Sequence, residues 1–191
     1  MPIMVADNPI LASTTSLLDR LDDETLEAAE EAVHAHAREA IGEALSLEDE
    51  LNLLKAAKWI AADANGKLSA PERRCLQDIL ARYHMPEDVQ DHLLAFDVSD
   101  VRREHVVALI EPGSIRGPFL LIGALALAAV DELKDTERAR ARELGDALGL
   151  SSDRVAAYIA EAEAEAHAYR RDDRGMLRRL RALRFALLRL R

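Results

Sequence analysis

The sequence predicts an all-α fold, a single helical bundle of about eight to ten helices. The 191 residues include only 8 glycines and 6 prolines, and the good helix formers alanine, leucine, glutamate and arginine dominate. Apolar residues make up 49% of the chain, which is enough for a buried core. Apolar positions recur every three or four residues almost throughout, and no segment alternates in the way that a strand does.

The helices are predicted in order from this spacing and from the residues that interrupt it. Ser69, Pro71 and Glu72 form the pattern of a capping box with a proline in the first turn. Phe119–Leu133 is apolar nearly all round, which predicts a central, buried helix. The full set of predicted helices covers residues 22–45, 47–62, 69–83, 86–96, 99–110, 119–133, 135–148, 151–171 and 175–191.

Charge divides the chain into an acidic body and a basic tail. Residues 170–191 contain nine arginines and two aspartates, a net charge of +7, so the rest of the chain carries −17 of the total of −10. An acidic body argues against nucleic acid as a partner. We predict an N-terminal helical extension over residues 1–45, a helical domain over 46–171 and a basic amphipathic helix over 172–191.

The basic helix has an apolar stripe that needs a partner. The stripe consists of Met176, Leu180, Leu183, Leu187 and Leu190. Docking on the acidic body is the interpretation we favour; the alternatives are that residues 176–190 lie on an anionic membrane surface or that they pair with a partner helix or anionic ligand. The candidate partner-binding or membrane-binding residues are Arg178, Arg181, Arg184 and Arg189, with Phe185 beside them.

Several classes of protein are excluded or disfavoured. Cys75 stands alone, so neither an internal disulfide nor a cysteine-based zinc site is expected. Residues 1–16 lack the pattern of a signal peptide, and the longest apolar run, 118–130, is too short to span a bilayer. The sequence has no nucleotide-binding or nucleophile motif, and its histidines do not pair. We therefore expect a cytoplasmic protein that is not an enzyme.

One segment, Asp63-Ala-Asn-Gly-Lys-Leu-Ser-Ala-Pro-Glu72, combines acidic residues with a tight turn. Oxygen atoms of Asp63, Asn65 and Glu72 suit a hard cation, although the spacing does not fit an EF-hand. The alternative is that Glu72 serves only the capping box and that Asn65-Gly66 serves only the turn. A similar passage runs from Asp131 to Glu137, which suggests a duplicated helical hairpin.

The apolar helix ending in AADANGKLSAPE, followed by a helix and then Met85-Pro86, resembles the TerB-like family. This family includes bacterial tellurite-resistance proteins and the N-terminal domain of membrane-anchored DnaJ-like co-chaperones. The resemblance covers residues 45–165, and the second copy lacks the glycine of the motif. It implies an all-helical domain, a role in stress response or protein association, and an acidic cluster that holds a divalent cation. The matching residues are Asp63, Glu72, Asp131 and Glu137, with Asn65 in the turn.

We therefore predict a non-enzymatic interaction and stress-response module. Its acidic cluster is a candidate site for calcium or magnesium. Its expected partner is another protein. Peripheral contact with the inner face of the membrane and formation of a homo-oligomer are further possibilities. Two alternatives remain open: a metal-dependent enzyme that uses the same carboxylates, and a structural component of a homo-oligomer. An enzyme requires these carboxylates to converge in a cleft around a bound water.

Overall fold

A computed structural model describes residues 7–41, 45–63 and 65–189. Within these ranges the chain forms ten α-helices and no β-strand, which confirms the all-α prediction. The elements are α1 (Pro9–Leu18), α2 (Asp23–Ala40), α3 (Leu47–Ala61), α4 (Ala70–Arg82), α5 (Glu87–Ala95), α6 (Arg103–Val107), α7 (Arg116–Ala128), a 3-10 turn (Ala129–Asp131), α8 (Asp135–Ala147), α9 (Ser152–Arg170) and α10 (Arg174–Arg189).

Helices α3 and α7 form the centre of the fold, and they share the most extensive contact between elements of the described chain. Leu51 and Ile60 of α3 and Leu121 and Leu125 of α7 are completely buried. The sequence of α7 explains its position, because no charged side chain follows Arg116 until the helix has ended. The first two helices also contribute to this core through Ile10, Leu17 and Val33.

Two predicted helices differ from the observed ones. The helix predicted over 119–133 starts earlier, at Arg116, and its α-helical part ends at Ala128. A 3-10 turn follows. Glu132 then has a positive φ of 105°, which is incompatible with a right-handed helix and ends it. The helix predicted over 99–110 is reduced to Arg103–Val107. In that segment the His105 ring accepts a hydrogen bond from the Arg102 amide, and the helix starts at Arg103, four residues after the predicted start at Ser99.

The hairpin α3–α4 and the hairpin α7–α8 begin their second helices in the same way. Ser69 precedes α4, its hydroxyl accepts a hydrogen bond from the Glu72 amide, and the Glu72 carboxylate accepts one from the Ser69 amide. In the second hairpin the Glu137 carboxylate accepts a hydrogen bond from the Lys134 amide. The capping box predicted at Ser69–Glu72 is confirmed, and the second hairpin repeats half of it.

Helix α10 lies against α9 of the same chain. Its buried residues are Leu180, Leu187 and Leu188. Met176 and Leu183, which the predicted stripe placed inward, are 41% and 45% exposed, so this part of the prediction is wrong; Leu190 lies outside the described residues. The reason is rotation of the helix, because Arg184 points inward to Glu161 and Glu165 and turns Leu188 rather than Leu183 toward the body.

Candidate functional site

The carboxylates of Glu72 and Glu137 meet where α4 and α8 begin. Both side chains are completely buried. Each uses one oxygen for its own helix start: Glu72 Oε2 accepts from the Ser69 amide at 2.6 Å, and Glu137 Oε2 accepts from the Lys134 amide at 2.8 Å. The second oxygen of each carboxylate, Oε1, accepts a hydrogen bond from the Lys134 ammonium. The two hairpins thus bring two negative charges into one buried position.

The ammonium group of Lys134 lies between these two oxygens. Its Nζ donates to Glu72 Oε1 at 3.1 Å and to Glu137 Oε1 at 2.8 Å. Asp131 Oδ1 lies 4.0 Å from the same nitrogen. Lys134 was not among the residues predicted for this site, yet its ammonium takes the position expected for a divalent cation among Glu72, Asp131 and Glu137. The sequence feature that could have indicated this role is the position of Lys134 between Asp131 and Glu137.

Burial and ion pairing act in opposite directions at this cluster. Desolvation is the largest influence on Glu72 and raises the pKa of its carboxyl, although the Ser69 amide and the Lys134 ammonium oppose it. Desolvation also acts against the charged form of Lys134, but the hydrogen bonds to Glu137 and Glu72 outweigh it and raise the pKa of the ammonium. The lysine therefore stays charged at any physiological pH and compensates the buried carboxylates.

Asp63 and Asn65, the remaining predicted ligands, serve the turn between α3 and α4. Asp63 Oδ1 accepts hydrogen bonds from the amides of Asn65 at 2.7 Å and Lys67 at 3.0 Å. These two bonds, led by the one from Lys67, lower the pKa of the Asp63 carboxyl. Gly66 has a positive φ of 74°, as the Asn-Gly sequence predicted for this turn. One oxygen of the Asp63 carboxylate, Oδ1, is thus engaged by the backbone.

Nowhere in residues 7–41, 45–63 and 65–189 do three or more histidine, cysteine, aspartate or glutamate side chains form a group that could hold a metal ion. The cluster around Lys134 holds three carboxylates, but a lysine ammonium fills its centre. What this arrangement does chemically is to join the starts of α4 and α8 through charge-assisted hydrogen bonds. Asp131 Oδ1 is buried and has no hydrogen-bond partner among the described residues.

The four arginines predicted for partner or membrane contact do not share one environment. Arg178, Arg181 and Arg189 are exposed on α10, and they form no ion pair within the described chain. Arg184 differs, because its guanidinium donates to Glu161 Oε1 at 3.0 Å and also bonds Glu165. Its guanidinium thus joins α10 to α9.

Two buried lysines of α3 were not expected from the sequence, because lysine rarely lies in a core without a carboxylate. Lys58 Nζ donates to the carbonyl oxygens of Leu93, Leu94 and Phe96, which are left free where α5 ends. Lys55 Nζ donates to the hydroxyls of Ser13 and Thr14, each at 3.0 Å. Burial lowers the pKa of Lys55 to about 7 and that of Lys58 to about 8.

The chain was compared with protein-family models, with curated proteins and with solved structures, and none of these matches it. Among the described residues, every helix is too short or too polar to cross a lipid bilayer. The interaction surface proposed below therefore rests on the geometry of this chain.

Proposed function

We propose that this chain is a non-enzymatic interaction module that binds an acidic segment of a partner protein on the outward face of α10. The observation that carries the proposal is the distribution of charge on this helix. Arg174–Arg189 contains six arginines and no acidic residue. Only Arg184 faces the acidic body, and the others are exposed.

The outward face combines positive charge with apolar surface. We define it as Arg178, Arg179, Arg181, Arg189, Phe185, Leu183 and Met176. Phe185 is 37% exposed, and Leu183 and Met176 are more exposed still. Arginine guanidinium groups bind carboxylates with two parallel hydrogen bonds, and arginine and aromatic residues are enriched in protein interfaces. This composition fits a partner surface that presents carboxylates around apolar side chains.

A protein partner fits the outward face better than a lipid bilayer does. An interfacial helix inserts one continuous apolar face into the membrane. Here the apolar face, with Leu180, Leu187 and Leu188, is already buried against the body. The exposed apolar side chains Phe185 and Leu183 lie about 160° apart around the helix. Arginines and the small residues Ala182 and Ala186 separate them, which leaves room for a helix to approach closely.

The buried carboxylates support a non-enzymatic role. Glu72 and Glu137 each bond a backbone amide and the Lys134 ammonium. A general base needs an oxygen that can take a proton from a bound water, and these glutamate oxygens are engaged elsewhere. The resemblance to the TerB-like family supports placing the module in a stress response, and calcium or magnesium binding is not needed for the proposal.

The experiment is a fluorescence-anisotropy titration with a labelled helical peptide that alternates glutamate and leucine along one face. The variant Arg178→Gln/Arg181→Gln/Arg189→Gln removes three charges from the outward face. The matched control, Arg170→Gln/Arg171→Gln/Arg174→Gln, removes three charges at the junction of α9 and α10, outside the outward face. We expect the first variant to bind at least about tenfold more weakly, a loss of about 1.4 kcal/mol, and the control to bind nearly as well as the unmodified chain.

Equal losses in the two variants would mean that binding follows net charge alone, and the proposal would be wrong. Vesicles of phosphatidylcholine with and without phosphatidylserine supply the second arm. Flotation with the anionic vesicles, together with no peptide binding, would make α10 a membrane anchor and would also overturn the proposal.

A further inference from the structure

Helix α2 has an acidic face that has no partner within the described chain. We define it by five exposed carboxylates, those of Asp23, Glu24, Glu27, Glu30 and Glu31. None of the five forms an ion pair with a described residue. Carboxylates that lie three or four residues apart on a helix repel one another and destabilise it. A positively charged surface laid against this face removes the repulsion.

The packing of α2 keeps the acidic face directed outward. On the opposite side of the helix Ala29, Val33 and Ala37 are completely buried in the core. The acidic face therefore cannot turn toward the body without exposing these residues. The exposed residues Ala28 and Ala35 border the carboxylates, and their small side chains leave room for another helix to approach closely.

The outward face of α10 has the complementary charge at a matching spacing. Helix α2 contains six acidic residues and one arginine, a net charge of −5 with its histidines neutral, and α10 contains six arginines and no acidic residue, a net charge of +6. The two helices are also similar in length, 18 and 16 residues. Arg178 and Arg181 are three residues apart on α10, as are Glu27 and Glu30 on α2. Two arginines on one helix can thus each face a carboxylate on the other.

Within one chain these two faces do not meet. Helix α10 packs mainly against α9 and α7, whereas α2 packs against α3. The ion pairs of α10 with the body run from Arg184 to Glu161 and Glu165 of α9, and among the described residues none joins α10 to α2. The complementary charges therefore meet when α10 of one copy lies against α2 of another.

We propose that the outward face of α10 binds the acidic face of α2 in a second copy of this chain. The inference rests on the proposed function, and it names the acidic segment that α10 binds. The guanidinium groups of Arg178 and Arg181 pair with the carboxylates of Glu27 and Glu30. Exposed ion pairs contribute little by themselves, and Phe185, which lies within about 40° of both arginines around the helix, adds apolar contact. Each copy has both faces, so it can make the contact twice.

Sedimentation equilibrium of the full chain at low ionic strength tests the inference with two charge-reversal variants. Arg178→Glu/Arg181→Glu reverses charges on α10, and Glu27→Arg/Glu30→Arg reverses charges on α2. We expect the unmodified chain to have an average mass above that of one copy, and each variant alone to associate at least about tenfold more weakly. An equimolar mixture of the two variants is expected to associate again, because each reversed face then meets an opposite charge. This recovery also establishes that both variants are folded.

The matched control is Glu143→Arg/Asp146→Arg, which reverses two exposed carboxylates at the same spacing on α8 and is expected to leave self-association unchanged. The inference is overturned if the unmodified chain remains a monomer, if this control associates as weakly as the α2 variant, or if the mixture of variants does not associate. A monomeric chain that binds the glutamate–leucine peptide through α10 would overturn this inference and leave the proposed function standing. A chain that neither associates nor binds the peptide would overturn both.

Discussion

Glu72 and Glu137 occupy equivalent positions in two helical hairpins, and one carboxylate oxygen of each accepts a hydrogen bond from the same ammonium, that of Lys134. The other oxygen of each residue caps the start of its own helix. The two hairpins are thus joined by hydrogen bonds that depend on a single lysine. Both carboxylates are fully buried, and neither charge has a second cation as a hydrogen-bonded partner among the residues described.

Replacement of Lys134 is expected to destabilise the fold strongly. Lys134→Met leaves two buried carboxylates without their counter-ion; because the Lys134 side chain is 43% exposed and water can partly replace it, we expect a loss of about 1–3 kcal/mol. Urea unfolding at neutral pH measures the change. The control is Lys67→Met, which removes an exposed lysine from the turn after α3 and is expected to change the free energy of unfolding by less than about 0.5 kcal/mol. Equal effects of the two substitutions would contradict this role for Lys134.

Calcium and magnesium are expected to leave the melting temperature of the unmodified chain unchanged, because the ammonium of Lys134 occupies the centre of the cluster. The variant Lys134→Ala removes the ammonium, but no three carboxylates of the described residues form a group that could hold a metal ion. A cation that binds only the folded state at 100 times its Kd would stabilise it by about 2.7 kcal/mol. We therefore expect neither cation to raise the melting temperature of this variant, measured by differential scanning calorimetry. A rise in either protein would mean that Glu72, Asp131 and Glu137 hold a cation after all and would contradict this expectation.

The sequence predicts much of this cluster but not its occupant. The capping box at Ser69 and Glu72, the turn at Asn65-Gly66 and the second acidic motif at Asp131 follow from local rules, because capping and turn geometry depend on neighbours within a few residues. The position of the Lys134 ammonium depends on how two hairpins meet, and a long, flexible side chain can reach several places. For this reason the sequence analysis predicted calcium or magnesium among these carboxylates, where the structure has the Lys134 ammonium.

Lys55 is expected to make the stability of the chain depend on pH above neutrality. Burial lowers the pKa of Lys55 to about 7, whereas the amine has its ordinary pKa of 10.5 in the unfolded chain. Between pH 7 and pH 10.5 the unfolded state binds a proton that the folded state has lost. The free energy of unfolding therefore rises with pH over this range, and this gain in stability is lost as the pH is lowered to 7. The slope from one lysine is at most about 1.4 kcal/mol per pH unit.

Urea unfolding between pH 7 and pH 10 measures this effect. Lys55→Met is expected to flatten the rise, and Lys67→Met, which alters an exposed lysine, is expected to preserve it. Lys58, whose pKa is lowered to about 8 mainly by burial, contributes in the same direction and accounts for the slope that remains in Lys55→Met. An unaltered slope in Lys55→Met would show that the Lys55 amine remains charged in the folded chain.

The C-terminal helix shows why an amphipathic pattern predicts docking more reliably than it predicts the buried face. Leucine spacing alone favours Leu183 as an inward residue. In the structure Arg184 forms ion pairs with Glu161 and Glu165 of α9, and its neighbour Leu188 becomes buried. Arginine is ordinarily an outward residue, so the sequence of α10 contains no sign that one of its six arginines belongs to the inner face. The partners that decide this lie on another helix.

Leu187 and Leu183 provide a direct test of how α10 docks. Leu187 is 7% exposed and Leu183 is 45% exposed, although both belong to the stripe that the sequence predicts. Truncation of a buried leucine to alanine costs about 2–5 kcal/mol, and a largely exposed leucine has little packing to lose. Deletion after Asp173 is expected to cost more than either leucine substitution, because it uncovers α9 and leaves the buried Glu161 carboxylate without Arg184. The exposed apolar surface is expected to bind a hydrophobic dye.

We expect Leu187→Ala to lower the free energy of unfolding by about 2 kcal/mol or more, and Leu183→Ala to change it by less than about 0.5 kcal/mol. An equal loss in the two variants would mean that Leu183 is buried as the leucine spacing predicts, and it would contradict the helix rotation that accompanies the Arg184 ion pairs.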